Sequence, residues 1–434
     1  MTPTISVGIM FQPQISLFLD GQFSFSGKSY TGEHKVSYQN GLILFDGQSL
    51  QKITLTPSGE NDTFILKDVV IGIGFHWERK EDQRFKGTLE CIVEDEKITA
   101  INILPIDTYL ISVISSEMSA TSSIELLKAH AVISRSWLLS QIEKRQAIEI
   151  SDATYVNNWE TDAEWIRWWD REDHINFDVC ADDHCQRYQG ITRASQSLEA
   201  VTKAVLETAG EVLMYRDAIC DARYSKCCGG VFEEFQNNWE PVNYPYLAKG
   251  YDGKHQELPT PLPDLTQEAA AQVWIRSIPP AFCNTQDQTV LSQVLNTYDQ
   301  ETIHFFRWGI TYTTEEISDL VHRRTGIDFG TITDLIPLER GTSARIIRLK
   351  VVGSKKTMIL GKELLIRKAL SESHLYSSAF TVDKTSDGFL LLGAGWGHGV
   401  GLCQIGAAVM ATSGYNYREI LYHYFQGSNL KKTY

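Results

Sequence analysis

The sequence predicts an α+β fold in which strand pairing dominates. Residues 1–105 hold short apolar segments, some of them alternating, divided by glycine-containing turns in the manner of meanders and barrels. One long helix pattern follows near 122–144, and the rest of the chain mixes strand-like and helical stretches with no internal repeat.

In the first region the strand candidates are 15–19, 41–45, 63–71 and 87–93, and the turn candidates are Asp20-Gly21, Asn40-Gly41, Asp46-Gly47 and Ser58-Gly59. A boundary near residue 85 separates an N-terminal β-rich region, 1–85, from a larger domain, 86–434. Residues 109–114 read as a strand-like apolar run leading to Glu117. The long helix starts at Ser122 or Ser123, with Glu125 placed for capping, and runs to about Lys144. Lys128 and Arg135 lie two turns apart on it, near one face. Residues 147–190 are polar and Trp-rich, 195–209 read as helix, and 210–225 return to strand. Five prolines (259, 261, 263, 279 and 280) make 252–300 read as an insertion or surface excursion. An amphipathic helix is expected over 313–325, strands over 345–352 and 356–360, and two last helices from about Cys403 and Tyr417.

Composition bounds the function. The chain has 434 residues, 43% hydrophobic, enough to bury a substantial core. A net charge of −14 argues against nucleic-acid binding, which needs a basic footprint. No apolar run reaches the roughly 18 residues that a membrane-crossing helix needs. The opening residues lack a basic flank, and their apolar stretch is broken by Gln, Pro and Asp, unlike a secretory signal. Eight unevenly spaced cysteines in a chain this long do not indicate a disulfide scaffold.

Four stretches, in order, carry a resemblance. They are Asp107-Thr-Tyr-Leu-Ile-Ser-Val-Ile-Ser-Ser-Glu117-Met118, then Lys128-Ala-His-Ala-Val-Ile-Ser-Arg135, then Cys228-Gly229-Gly230 with Asn238-Trp239 and Pro245-Tyr246-Leu247, then Gly395-Trp-Gly-His-Gly-Val-Gly-Leu-Cys-Gln404. Together with the closing helix pattern from Tyr417 they resemble the SpoIID/LytB family, the stage II sporulation protein D and amidase enhancer type, over roughly residues 85–430. The resemblance implies a β-rich core with a catalytic-cleft helix. It implies cleavage of peptidoglycan between N-acetylmuramic acid and N-acetylglucosamine, on strands stripped of stem peptides, with a 1,6-anhydro product. It also implies a cell-envelope location, whereas the missing signal leaves the cytoplasm open. Ser119 stands where the family often has proline after Glu-Met.

Glycosidic cleavage needs a proton on the leaving oxygen, and hydrolases usually add a second carboxylate. A lytic transglycosylase manages with one, because the sugar's own 6-hydroxyl attacks the anomeric carbon. Glu117 fits that role, and burial would keep it protonated. Position alone favours the plain reading, a Glu that suits a helix N-terminus, and the resemblance reverses that preference. The resemblance places Lys128, Arg135 and Tyr224 in the substrate site, where the two cations could meet the lactyl carboxylate of muramic acid. Solvated helix charges and an ordinary strand aromatic are the plain alternatives. His398 and Gln404 either hydrogen-bond sugar, orient Glu117, or are satisfied core groups. The string from Gly395 to Gly401 superficially resembles a dinucleotide fingerprint, but no βαβ unit can follow it, so its glycines are expected to let backbone approach a glycan. Trp159, Trp165, Trp168 and Trp169, with Trp137, are a weak hint of sugar stacking.

His174, Cys180, His184 and Cys185 offer two imidazoles and two thiolates, a set that suits tetrahedral Zn²⁺, and their order resembles a site found in some family members. Four ligands would close the site and make it structural. A Cys180–Cys185 disulfide or free thiols are the alternatives. For the vicinal Cys227-Cys228 a structural role is favoured over a catalytic thiol. Three functions remain in play: a lytic transglycosylase, a non-catalytic amidase enhancer that recruits a cell-wall amidase, and a zinc hydrolase, for which the closed ligand set leaves no open position.

Overall fold

The pairing seen in the computed structural model follows from local chemistry that the sequence displays. It describes residues 2–73, 78–119, 121–151, 157–168, 174–182, 184–191, 198–254, 262–294 and 303–434. The chain is α+β and β-rich. It divides into two units: Met1–Arg145 with Asp173–Val212 and Lys431–Tyr434, and Gln146–Glu172 with Leu213–Leu430. The N-terminal strands and the helices after them thus belong to one unit.

In the first unit, ten strands between Thr4 and Pro105 form one antiparallel sheet, and Val179–Cys180 joins its edge in parallel beside Thr4–Gln12. Asn40-Gly41 and Asp46-Gly47 make two-residue hairpin turns with both residues at positive φ, as primed turns demand. Asp20-Gly21 is different. It lies inside the strand Gln14–Phe25, where Gly21 (φ 113) sits at a register shift. There the strand passes from pairing with Thr63–Ile71 to pairing with Lys52–Pro57. Ile15, Leu17 and Leu19 alternate into the core and are almost wholly buried, with Phe23, Phe64 and Phe85.

Three helices follow: α1 (Ile106–Glu117), α2 (Ile124–Ser151) and α3 (Leu198–Glu207). Residues 109–114 are therefore helical, not strand-like. Ile106, Tyr109, Leu110, Val113 and Ile114 are all buried and fall at i, i+3, i+4, i+7 and i+8, one face of a helix. Ser123 starts α2, its Oγ accepting from the Leu126 N–H at 3.3 Å.

The second unit holds a five-stranded sheet and a three-stranded antiparallel sheet, Arg307–Thr313, Gly388–Ala394 and Phe380–Lys384. Its helices are α4 (Glu268–Arg276), α5 (Gln288–Val294), α6 (Thr314–Thr325), α7 (Glu363–Ala369), α8 (Gln404–Thr412) and α9 (Tyr417–Tyr424). A capping box between Thr313 and Glu316 opens α6, and Gly326 (φ 73) closes it. Within the expected excursion, 262–294 packs one side into the core and leaves the other exposed, as at Val273 and Ile278. Leu265, Trp274 and Ile275 are buried against Val231, Tyr251, Ala344 and Ala394. Residues 255–261 and 295–300 of that stretch, and Trp169, lie outside the described residues. Trp137 is buried in the first unit, whereas Trp159, Trp165 and Trp168 belong to the second.

If one side of 262–294 is core, Trp274→Ala should lower stability by about 3–5 kcal/mol, the usual cost of emptying an aromatic site. Chemical denaturation of the two proteins side by side measures this; a change within error would return the segment to the surface.

Candidate functional site

Glu117 is the last residue of α1, half-buried, at the carbonyl end of the helix where the dipole gives an anion no support. It does not cap a helix N-terminus. Among the described residues its carboxylate has no hydrogen bond or ion pair.

The two cations expected beside it are engaged. Lys128 Nζ lies 2.8 Å from Glu207 of α3 and 3.3 Å from Glu125 on its own helix. The bond that it donates to Glu207 outweighs the opposing effect of partial burial and raises the ammonium above the usual lysine range. Arg135 is wholly buried. Its guanidinium donates to Asp107 Oδ1 (3.2 Å), the carbonyls of Val205 (3.4 Å) and Glu211 (3.1 Å), and the Tyr434 hydroxyl (3.0 Å). The Tyr434 hydroxyl in turn donates to Asp107 at 2.7 Å. Arg135 therefore joins α1, α2, the end of α3 and the C-terminal residue. With no exposed surface it holds elements together and has no face to offer a ligand in this structure.

Tyr224, His398 and Gln404 belong to the second unit, where the structure brings them to one place. Tyr224–Ser225 pairs in parallel with Leu402–Cys403, and Gln404, buried, begins α8 directly after. Tyr224 is half-buried, and its backbone hydrogen-bonds the His398 ring. His398 Nδ1 accepts from the Val400 N–H at 3.0 Å, which places the proton of the neutral ring on Nε2. Burial, then the Arg223, Arg345 and Arg367 charges, depress this imidazole well below the usual range. It is a neutral hydrogen-bonding group.

Gly395, Gly397, Gly399 and Gly401 all have positive φ (77, 93, 75 and 73). They admit protein. A side chain on Gly399 would strike the Arg345 guanidinium, and one on Gly401 would strike the Arg223 carbonyl. The buried Arg345 donates to Gly397 O (2.9 and 3.1 Å), Cys228 O (3.2 Å) and Ser343 Oγ (2.8 Å). Glu233, also buried, accepts from the backbone and hydroxyls of Thr342 and Ser343 at 2.6–3.1 Å. Sequence reasoning missed Arg345, Glu233 and the buried Arg223–Asp221 pair (2.6 and 2.9 Å). Their sequence neighbours are ordinary, since their partners are brought to them by tertiary folding.

The donor atoms of His174, Cys180, His184 and Cys185 all lie within 4.8 Å of one another in the first unit. Cys185 Sγ is 3.4 Å from His174 Nε2 and 3.5 Å from His184 Nδ1, and Cys180 Sγ is 3.9 Å from His184 Nδ1. A tetrahedron with sulfur about 2.3 Å and nitrogen about 2.0 Å from zinc has edges near these lengths, so the residues fit the ion. The loop is anchored independently of it. Arg145 donates to Phe177 O and Asp178, each at 2.7 Å, and Asp178 accepts from the Ser6 N–H and Oγ–H at 2.8 Å. Cys185, then the two imidazoles, hold the Cys180 thiol far below the usual thiol range despite burial.

Residues 94–215 match the family described as Stage II sporulation protein, and residues 233–401 match a domain of unknown function, DUF8618. An uncharacterized protein of Brachyspira hyodysenteriae is 24% identical over 80% of this chain and 72% of its own. Stage II sporulation protein D of Bacillus subtilis is 21% identical over 77% of this chain and 76% of its own. The amidase enhancer of the same organism is 24% identical over 73% of this chain but 39% of its own. The first family match contains Glu117, Lys128, Arg135 and the four His and Cys donors; Tyr224, His398 and Gln404 lie outside it.

Arg135→Ala leaves Asp107 without its buried partner and should cost about 3–5 kcal/mol, read as a lower unfolding midpoint. His374 in the same unit as His398 is also depressed, to about 3, by burial and then by Arg367, Lys368 and Arg324. Unfolded histidines take up protons near pH 6.5, so the folded state's advantage is full above that value and erodes as pH falls below it, by about tenfold per unit for each ring. Urea midpoints at pH 7 and 5 should diverge less in a His374→Gln, His398→Gln double variant; an equal divergence would refute this source of acid sensitivity.

Proposed function

We propose, from a chain whose residues 94–215 make it a member of the SpoIID family, that this protein serves the bacterial cell wall as a peptidoglycan lytic transglycosylase. Glu117 is its acid and then its base. The observation that carries this reading is the position of Glu117: half-buried at the end of α1, with its carboxylate free of described partners, while Lys128 and Arg135 on α2 are paired. In the reaction, Glu117 gives its proton to the glycosidic oxygen as the bond from the muramic C1 breaks. The C6 hydroxyl of the same muramic residue bonds to C1, and its proton passes to Glu117. The carboxyl group ends as it began, no water is consumed, and the products are a 1,6-anhydro end and a free C4 hydroxyl. Tyr224 and His398, the latter a neutral hydrogen-bonding ring, are proposed to bind sugar. Arg135 acts as a positioning residue for α1, and Gln404, at the head of α8 in the second unit with Tyr224 and His398, is proposed to hydrogen-bond sugar there. His174, Cys180, His184 and Cys185 would hold a structural zinc ion, which would cross-link their loop.

The amidase enhancer relative, together with the internal pairing of Lys128 and Arg135, favours one second reading: a peptidoglycan-binding protein that brings a cell-wall amidase to its substrate. Mass spectrometry of products from denuded strands separates the two. Wild type should release anhydro-ended fragments, and Glu117→Gln should be slower by about 10²–10⁴-fold, the usual contribution of an acid–base group. No cleavage by folded wild type would leave the enhancer reading, and reducing ends would mean hydrolysis with a second carboxylate.

A further inference from the structure

Cys228, Asp252, Cys283 and Cys403 come from four separate stretches of the second unit and meet in its interior. One donor atom from each lies within 4.8 Å of every other, and all four residues are buried. None of them belongs to the proposed chemistry, and the sequence alone singled out only the Cys227-Cys228 pair.

Three features distinguish this group from chance packing of thiols. The first is spacing. Cys228 Sγ and Cys283 Sγ are 3.6 Å apart. A disulfide would need about 2.05 Å. Two thiolates on one ion at about 2.3 Å in tetrahedral geometry stand nearly this far from each other. The second is hydrogen bonding. The Cys228 N–H points at Cys403 Sγ (3.3 Å) and the Gly230 N–H at Cys228 Sγ (3.4 Å). Backbone donors turned toward sulfur suit thiolates, as outer partners of metal ligands do. The positive φ of Gly229 and Gly230 forms the turn that aims the second of these.

The third feature is charge. Asp252 is wholly buried and accepts from the Tyr424 hydroxyl (2.7 Å) and the Cys283 N–H (3.0 Å). No lysine or arginine pairs with it among the described residues, and the His423 ring nitrogen Nε2 stands 3.8 Å away. A buried carboxylate this poorly paired is costly, and a divalent cation would remove the cost. Each oxygen keeps a lone pair for it. Arg307, half-buried and bonded to the carbonyls of Trp274, Ser277, Phe306 and Gly229, stands within electrostatic reach of Cys228 and Cys283 and would offset part of the remaining negative charge.

We propose that Cys228, Asp252, Cys283 and Cys403 form a second, structural metal site that takes one tetrahedral, thiolate-seeking divalent ion of the Zn²⁺ class. Three sulfurs select such an ion over Mg²⁺ or Ca²⁺, and four protein ligands leave no position for substrate. Binding releases the thiol protons to solvent and involves no redox step. The ion ties the Cys-Gly-Gly turn, the 250–252 strand end, the α4–α5 connection and the head of α8 into one frame. Leu402 and Cys403 pair with Tyr224 and Ser225, so the same frame sets the proposed sugar-binding residues.

The test uses the full chain, made with zinc and purified under reducing conditions. A Cys180→Ser, Cys185→Ser double variant removes the His/Cys group, whatever that group holds. X-ray absorption at the zinc edge should then show about one ion per chain with three sulfur neighbours and one oxygen. Adding Asp252→Asn and Cys283→Ser should abolish it. The proposal is overturned if the double variant, shown to be folded by circular dichroism, carries no zinc, or if alkylation without reduction recovers a Cys228–Cys283 disulfide from native protein. Zinc counting on wild type needs no variant: no zinc bound in sulfur-rich coordination there would also overturn it.

Discussion

The helical part of the first unit is organised around one buried guanidinium. Arg135 has no solvent to hydrate it, so its donors must find acceptors inside the protein. It finds them on Asp107 at the start of α1, on carbonyls at residues 205 and 211, and on the Tyr434 hydroxyl. Those partners are up to 299 positions away in sequence. Moving Asp107 would leave a buried charge uncompensated, and moving any of the others would leave a buried donor unsatisfied. The placement of Glu117 depends on this, because α1 is fixed at one end by Asp107 and presents Glu117 at the other.

The second unit repeats the device with different residues. Arg345 gathers the Gly397 and Cys228 carbonyls, and Glu233 gathers the backbone and hydroxyls of 342–343. The glycine-rich loop can reach Arg345 only because four of its residues adopt a left-handed backbone. Its composition, which in isolation suggests a ligand-cradling loop, is explained by the protein's need to pack its own backbone around a charge.

This also shows what was legible in the sequence. The α+β class, the hairpins at Asn40-Gly41 and Asp46-Gly47, and helices α2, α3, α6, α8 and α9 could be read because they are specified by neighbours in sequence. The helical spacing of Ile106, Tyr109, Leu110, Val113 and Ile114 was present too, but the β-branched and hydroxyl residues among them suggested strand. Asp20-Gly21 looked like a turn because a bulge and a hairpin draw on the same backbone chemistry. The His174–Cys185 group was legible because its four donors lie within twelve consecutive residues. The Cys228, Asp252, Cys283 and Cys403 group was not, since its spacing is set by tertiary folding alone.

The pairing of the cations bears on how a carboxylate-bearing glycan would be recognised. Lys128 is held by Glu125 and Glu207, both carboxylates and both partly exposed. Surface ion pairs of this kind are weak and easily exchanged. A muramic carboxylate could therefore take the place of Glu207 with little change in charge, whereas Arg135 would have to abandon buried partners to do the same. Of the two residues that the sequence placed together, only Lys128 has partners near the surface that a ligand could exchange. Recognition by exchange would make binding sensitive to salt through Lys128, while Arg135 would act on it only through the position of the helices.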